Sequence, residues 1–348
     1  MSRSVKVKIV CALILGVILM FTGLFWYFRV YTKTPNYALK SIETALDTQD
    51  VKMFHRYVRL DSILDSGYDE FMAGMMEMDF RNSREDSAAL DDFTKMLKPA
   101  FAKMLRDAID LRLSTGEWAA SDSSIGDGET ENILLRTGLQ DLTLRSIVHL
   151  SIDESGRTAL ADILSHQSEA DADFTFKAEL IPSENGDWQV VRIQNLYEYA
   201  VFLGTARRAH VERYLQETES IIARHNHSVG LAKIRLYGTL TAGALGNQKT
   251  RDTARTIMEQ EILTDWQTRR EELSSVQVPR TMKSLHQLRL KICDLHISYA
   301  EGYAAWMTDK NATTIRMAEK SLRQAEVLEL EETFLVQRAK QSFADETE

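Results

Sequence analysis

Four groups of side chains in this sequence have types and spacings that could support chemistry. Thioethers crowd one short segment, where Met72, Met75, Met76 and Met78 follow one another within "MAGMMEMDF". Thioethers are soft ligands that suit copper(I). Methionine is also a flexible filler of apolar cores, and no cysteine or histidine in the segment completes a ligand set. We therefore interpret the segment as structural and predict no metal there.

Histidines supply the next two groups. His225 and His227 lie in "RHNHS", which we interpret as a loop or a solvated helix end, and no further metal ligands can be assigned around them. Cys293 and His296 stand three residues apart on one predicted helix face, beside leucine and isoleucine residues of an apolar stripe. Burial in a helix seam explains that pair better than metal binding.

The fourth group is a possible acid–base pair. His149 and Asp162 lie on adjacent predicted strands, and such a pair can transfer protons when it faces a pocket. His149 alternates out of phase with Val148 and Leu150, so we expect it to point away from the apolar face. The sequence also lacks Gly-x-Ser-x-Gly, Ser-x-x-Lys, His-Glu-x-x-His and any phosphate-binding glycine loop. We predict that the protein is not an enzyme and has no catalytic residue, cofactor or metal.

An acidic stretch rich in glycine and serine, residues 114–132, is predicted to be an exposed loop. It resembles a calcium-binding loop only superficially. Asp127 stands where the sharp turn needs glycine, and Ile133 stands where a bidentate glutamate is needed.

Composition limits the classes of fold and partner. The chain has 348 residues, of which 44% are apolar and 27% charged, and this suits a folded protein. With only 4 prolines and 16 glycines, long helices are favoured over a turn-rich all-β fold. Residues 34–348 hold 37 basic and 51 acidic residues, a formal charge of −14. Phosphate backbones would repel such a domain, so we predict no nucleic-acid partner.

A long uncharged segment near the N-terminus predicts a membrane anchor. Residues 9–28, "IVCALILGVILMFTGLFWYF", carry no charge, and as a helix they would span roughly 30 Å. A cleaved signal peptide explains them less well, because the run is long and ends in four aromatic residues. The flanking basic residues weakly favour a cytoplasmic N-terminus. We therefore predict a single-pass protein of the cell membrane with the bulk of the chain extracytoplasmic.

The elements after this segment predict an α+β domain. Thr34 and Asp50 can each cap a helix, and Pro35 suits the first helical position. Two further helices follow, with a kink or break expected at Pro99. Hydrophobicity then alternates with period two in four runs joined by short turns, which predicts a four-stranded antiparallel meander with the helices packed on one face.

From about Tyr197 the hydrophobic period is helical again. One predicted helix repeats apolar residues at alternating spacings of three and four, and the next repeats the same face, so we expect an antiparallel helical hairpin or bundle. The repeating positions are Leu285, Leu288, Ile292, Leu295, Tyr299, Gly302 and Trp306. We divide the chain into a cytoplasmic tip and anchor (1–33), an α+β domain (34–200) and an all-helical domain (201–348).

Two stretches of the α+β part carry a resemblance to a known family. They are "TPNYALKSIETALDTQDVKMFHRYVRLDSILDS" and "WQVVRIQNLYEYA", with Thr-Pro-x-Tyr-Ala at Thr34 to Ala38 and Trp-Gln-Val at Trp188 to Val190. In these motifs the chain resembles an uncharacterised domain of bacterial membrane-anchored and envelope proteins. The resemblance implies a cone-shaped fold similar to the nuclear-transport-factor-two-like or cystatin-like group, and it implies no activity.

Two functions are compatible with this sequence. The first is a non-enzymatic binding or scaffold protein of the bacterial cell envelope, whose helical domain binds an envelope protein partner. The second is a pocket protein, in which the cone-shaped domain binds or transforms a small hydrophobic ligand. A large thermal shift with one small molecule would favour the second.

Overall fold

The structure is a computed structural model that describes residues 20, 22, 26–27, 29–80, 87–118, 134, 136–243 and 245–344; of these, the side chains of 79–80, 87–93 and 342–344 are not described. The chain forms two compact units that divide between Thr205 and Ala206, within one helix.

The first unit begins with four helices. They are α1 (Pro35–Thr48), α2 (Val51–Tyr57), α3 (Leu60–Phe80) and α4 (Ser87–Thr115). The hydroxyl of Thr34 accepts a hydrogen bond from the Tyr37 backbone N–H, and the Asp50 carboxylate accepts one from that of Met53, so both predicted caps are confirmed. α4 continues through Pro99, so of the predicted kink or break the break is wrong and the kink stays a prediction.

The sheet follows as a meander of four antiparallel strands in the order β1-β2-β3-β4. These are β1 (Leu142–Ile152), β2 (Ala159–Gln167), β3 (Ala172–Pro182) and β4 (Trp188–Ile193). β1 is an exposed edge strand with two register shifts against β2. At the other edge, Val58 bridges to Val190 and the Arg59 backbone N–H donates to the Val190 carbonyl. The chain between α2 and α3 thus covers the polar edge of β4.

One apolar cluster joins α1 to the sheet. Ala38 and Leu39 of α1 are buried with Ala178, Leu180 and Trp188 of the last two strands, and Ile42 packs against them. Residues far apart in sequence therefore form one core, as the amphipathic pattern of α1 predicts.

The second unit is helical. It contains the C-terminal part of α5 (Leu196–Ala242), then α6 (Gln248–Ile257), a π-helical stretch (Met258–Leu263), α7 (Thr264–Ser275), α8 (Lys283–Asp309) and α9 (Ala312–Ala344). α8 and α9 pack side by side along their lengths. Gly302 lets them approach closely, because a Cβ there would lie 2.9 Å from the Cβ of Ala318.

The predicted N-terminal transmembrane helix is corrected by the structure. Crossing a bilayer takes about 20 consecutive apolar residues, and no helix within the described residues is long and apolar enough to do so. Of the predicted span, residues 9–28, only Met20, Thr22, Trp26 and Tyr27 are described, and the rest lies outside the described residues. The predicted fold class included this helix, and the predicted membrane partner and single-pass location depended on it. These predictions are not upheld.

Candidate functional site

An apolar cavity of about 330 Å³ lies between the helices and the sheet of the first unit. Aliphatic and aromatic side chains make up nearly all of its wall. The lining residues are Phe54, Leu60, Ile63, Leu64, Gly67, Tyr68, Phe71, Phe101, Leu105, Ile109, Thr137, Leu139, Leu142, Leu144, Ile163, Phe176, Ile193, Leu196 and Tyr199.

Helical spacing produces one side of this cavity. On α3, Leu60, Leu64, Gly67 and Phe71 recur at intervals of three and four residues, which places them on one face. On α4, Phe101, Leu105 and Ile109 recur every four residues and face the same space. Gly67 allows Leu196 to approach, since a Cβ at position 67 would lie 2.4 Å from its Cδ1.

Strand alternation produces the other side. Ile163 of β2 and Phe176 of β3 are register partners, so their side chains leave the same face of the sheet. Leu142 and Leu144 extend this face onto the edge strand β1, and Ile193 ends it on β4. Leu144 is 53% exposed although it lines the cavity, so the wall beside β1 is also accessible to solvent.

The polar groups at one end of the cavity bond to one another. The phenol of Tyr199 accepts a hydrogen bond from Gln167 Nε2 at 2.8 Å and donates to the Thr137 carbonyl at 3.2 Å. Gln167 Nε2 also donates to the Gly138 carbonyl at 2.9 Å, and the Thr137 hydroxyl donates to the Leu134 carbonyl at 3.0 Å. These bonds hold the end of the cavity in place and use the hydrogen-bonding capacity of the buried groups.

Tyr68 contributes an aromatic face to the cavity. Its ring packs edge-to-face on Phe101 with ring centroids 5.1 Å apart, and its hydroxyl donates to the Thr94 carbonyl at 2.7 Å. Burial raises the pKa of this phenol, so Tyr68 stays neutral at physiological pH. Among the described residues, the cavity wall therefore offers apolar contact and carries no charged group.

The predicted acid–base pair lies away from the cavity. His149 and Asp162 are register partners on β1 and β2, and His149 is exposed. Asp162 alternates with Ala161 and Ile163, which face the core, so the pair occupies the opposite face of the sheet. The predicted orientation of His149 is confirmed.

The methionine segment lies in α3. Met72 and Met75 pack against the cluster of Phe71, Tyr199 and Leu203, and Met78 contacts the position of Gly204. In the described residues, no group of three or more histidine, cysteine, aspartate or glutamate side chains could hold a metal ion. The loop at 114–132, compared above with a calcium-binding loop, falls mainly outside the described residues.

The two remaining histidine groups lie in the helical unit. The predicted loop at His225 and His227 is wrong, because both residues are inside α5. His225 is buried and faces Asp265 Oδ1 at 2.8 Å and Glu272 Oε2 at 3.2 Å. Cys293 and His296 are buried in α8, as predicted, and burial raises the pKa of the Cys293 thiol to about 11.

Comparison with known proteins gives one match. Residues 24–114 match the protein family described as "Protein of unknown function (DUF2939)". The matched segment contains α1 to α4 except for the last residue of α4, and therefore the cavity residues of α3 and α4 but not Leu196 and Tyr199 of α5. It ends before the strands, so the Trp-Gln-Val part of the resemblance lies outside it. No curated protein and no solved structure matches the chain. The bacterial envelope origin and the cone-shaped fold group stay predictions.

Sequence reasoning missed the cavity residues. The repeats on α3 and α4 indicated buried helix faces, but the same pattern is produced by a filled core. Gly67 was the available signal, since a glycine inside a helix costs about 1 kcal/mol relative to alanine unless packing requires it.

Proposed function

We propose that the protein is a non-enzymatic binding protein whose first unit holds a small apolar molecule in the cavity between α3, α4 and the sheet. The observation that supports this function is the cavity itself, about 330 Å³ in volume with an almost entirely apolar lining. Ligand pockets typically have volumes of about 300 to 1,000 Å³ and are lined mainly by hydrophobic and aromatic residues.

The chemistry of the lining favours binding over catalysis. Proton transfer needs a titratable group within hydrogen-bond reach of the reacting atom. The titratable groups on the cavity wall are the phenols of Tyr68 and Tyr199, and both hydroxyls bond to backbone carbonyls. His149 and Asp162 occupy the other face of the sheet. A ligand here gains affinity from the apolar area that it buries, about 25 cal/mol per Å² before the costs of association.

The ligand is aliphatic or aromatic over the part that enters the cavity. The hydroxyl protons at the Tyr199 end are already donated to backbone carbonyls, so a hydrogen-bond acceptor of the ligand placed there would lose its hydration without gaining a bond. The exposed side of Leu144 marks the entrance beside β1. Any polar group of the ligand therefore lies at that entrance.

A fluorescent apolar probe tests this function. The full-length protein should bind N-phenyl-1-naphthylamine saturably, with one site per chain and an increase in emission. Leu105→Trp, which fills the cavity from α4, should weaken binding at least about tenfold. Leu97→Trp is the matched control, since Leu97 is an exposed residue of the same helix. Non-saturable binding, or equal binding by wild type and both variants, would refute the proposal.

A second candidate function, binding of a protein partner by the helical unit, is supported by α9. Val327, Leu330 and Phe334 are all more than 60% exposed and recur at spacings of three and four on one face. Crosslinking of the full-length protein in cell extract should give a discrete partner that is lost in Leu330→Glu. Crosslinks that persist unchanged in this variant would exclude the α9 face.

A further inference from the structure

The helical unit contains a second cavity, which differs from the first in being lined by charged groups. It has a volume of about 210 Å³ and lies among α5, α7, α8 and α9. This volume is below the usual range of drug-sized pockets, which starts at about 300 Å³. The size suits a metabolite of few heavy atoms.

Hydrogen-bond donors line the α5 side. Asn226 and Lys233 are seven residues apart, so they share one face of that helix. Asn226 Oδ1 accepts a bond from Arg269 at 2.9 Å, so the amide keeps its two N–H groups as donors for a ligand. The charge of Lys233 is one of the causes that lower the pKa of Glu329 on the α9 side of the cavity. An amide and an ammonium on one wall form a site for a carboxylate.

Carboxylates line the α9 side. Glu326 and Glu329 are three residues apart on that helix and both reach the cavity. One oxygen of Glu329 accepts a bond from His296 Nε2 at 2.8 Å. This hydrogen bond is the largest cause of the lowered pKa of Glu329, so the residue is ionised at neutral pH. Two negative charges opposite the donor wall form a site for an ammonium group.

The floor is built from stacked aromatic rings and aliphatic side chains. The rings of Trp266 and His296 stack with centroids 3.9 Å apart and planes within 9°, and the guanidinium carbon of Arg269 lies 4.4 Å from the indole centroid. Val229 is buried beside them, and Leu322 completes the apolar part of the lining. α7, which carries Trp266, follows directly on the π-helical stretch, and such stretches recur at functional sites.

Gly230 keeps the cavity open on the α5 side. It lies between Asn226 and Lys233, and a Cβ added there would meet no atom within 4 Å. Packing within the chain therefore does not require glycine at this position, although glycine inside a helix costs about 1 kcal/mol relative to alanine. The absence of a side chain at position 230 leaves this part of the cavity open.

We propose that this cavity binds the zwitterion of a small α-amino acid with an apolar side chain. The carboxylate of the amino acid bonds to Asn226 and Lys233, its ammonium group bonds to Glu326 and Glu329, and its side chain packs on the apolar floor. A ligand with a single charge bonds to one wall only and gains no charge-assisted hydrogen bond from the other.

Calorimetry on the full-length protein with three related probes tests this proposal. L-leucine carries both charged groups, L-leucinamide lacks the carboxylate, and N-acetyl-L-leucine lacks the ammonium. L-leucine should bind to one site per chain, and each blocked probe should bind at least about tenfold more weakly, because each loses charge-assisted hydrogen bonds.

Variants assign each wall to one end of the ligand. Lys233→Met should weaken L-leucine at least about fivefold and leave L-leucinamide unchanged, and Glu326→Gln should weaken L-leucine and leave N-acetyl-L-leucine unchanged. Lys291→Met and Glu301→Gln are matched controls at exposed positions of α8 outside the cavity. Gly230→Met should abolish binding without lowering the melting temperature, and Gly238→Met, at a second unobstructed glycine of α5, should not affect binding.

Three results would overturn the proposal. The first is the absence of any heat of binding with millimolar L-leucine. The second is equal affinity for the three probes, which would show that the charged walls do not recognise the ligand. The third is equal loss of affinity in Gly230→Met and Gly238→Met, which would show that the ligand does not occupy this cavity. The apolar probe test of the first unit is independent of all three results.

Discussion

The indole Nε1 of Trp188 donates a hydrogen bond to the backbone carbonyl of Lys33, 3.2 Å away. Trp188 begins β4, and Lys33 precedes α1, so this bond joins the last strand of the sheet to the start of the helical layer. The ring itself is 7% exposed and belongs to the cluster that contains Leu39 and Ile42. Packing and a hydrogen bond thus connect the same two elements.

Replacing Trp188 should destabilise the first unit severely. Trp188→Ala should cost about 3 to 5 kcal/mol in the free energy of unfolding, because it removes a large buried side chain. Trp188→Phe keeps most of the packing and loses the bond to Lys33, at a cost of about 0.5 to 1.5 kcal/mol. Urea denaturation measures both values. The loss of unfolding free energy in the double variant Trp188→Ala/Ile42→Ala should differ from the sum of the two single losses by at least about 0.5 kcal/mol. A loss equal to that sum would mean that α1 and the sheet do not share a core.

Asp187 should make stability depend on pH. Its carboxylate lies 2.5 Å from Lys33 Nζ and 3.0 Å from Arg56 Nε. Burial alone would raise the pKa of Asp187, but the bonds from these two cations outweigh it and lower the pKa. The folded state therefore binds the proton less tightly than the unfolded chain, whose aspartate pKa is about 3.9. The contribution of Asp187 to stability is complete above that pH and is lost as the pH falls further.

The variant Asp187→Asn isolates this contribution. At pH 7 it should lower the free energy of unfolding by about 1 to 3 kcal/mol, and the difference from wild type should shrink at pH 3. Glu184→Gln, at an exposed position in the turn before Asp187, is the control and should have little effect at either pH. A difference that is the same at pH 3 and pH 7 would contradict the role assigned to the ion pairs.

The cavity predicts that replacing leucine by phenylalanine has different costs at two positions of α4. Leu105 lines the cavity, whereas Leu113 does not line it and is buried in a cluster with Ala45 and Val58. Leu113→Phe should cost about 1 to 3 kcal/mol, because extra volume strains a packed core. Leu105→Phe should cost less than half as much, because its ring enters open space. Thermal or urea unfolding measures both, and equal destabilisation would mean that the space does not accommodate a larger side chain.

The sequence predicted elements better than sites, and the reason is physical. The caps at Thr34 and Asp50 and the alternation of the strands are local, so they can be read from neighbouring residues. The donor wall at Lys233 and the acceptor wall at Glu326 are 93 positions apart and meet only through helix packing. No periodicity within either helix shows that the other helix lies opposite.

The misassigned loop at His225 shows a related effect. The run of polar residues around Asn226 is typical of a turn. Buried residues nevertheless continue at helical spacing through Ile221, His225, Val229 and Ala232. His225 can occupy an inward position because two carboxylates on α7 bond to its ring. An analysis of hydrophobic periodicity treats a histidine as polar and therefore predicts that it is exposed.

The last prediction concerns the ion pair inside the helical unit. Arg289 is 1% exposed, and its Nε donates to Glu332 Oε1 at 2.7 Å while a terminal nitrogen donates to the Thr218 hydroxyl at 2.5 Å. Taking this cation out of water costs several kcal/mol, which the pairing offsets. The free energy of unfolding should therefore fall most when only one partner of the pair is removed.

A double-mutant cycle measures that dependence. Glu332→Leu should cost about 3 to 5 kcal/mol, because Arg289 would keep its charge without its carboxylate. Arg289→Met combined with Glu332→Leu should recover most of that loss, because apolar residues then fill the site. The exposed pair of Arg323 and Glu319, 3.7 Å apart on α9, is the control and should show a coupling of about 0.3 to 0.5 kcal/mol. A coupling energy between Arg289 and Glu332 no larger than that of the control would contradict this prediction. It would mean that other groups, such as the Thr218 hydroxyl, stabilise the buried charge of Arg289.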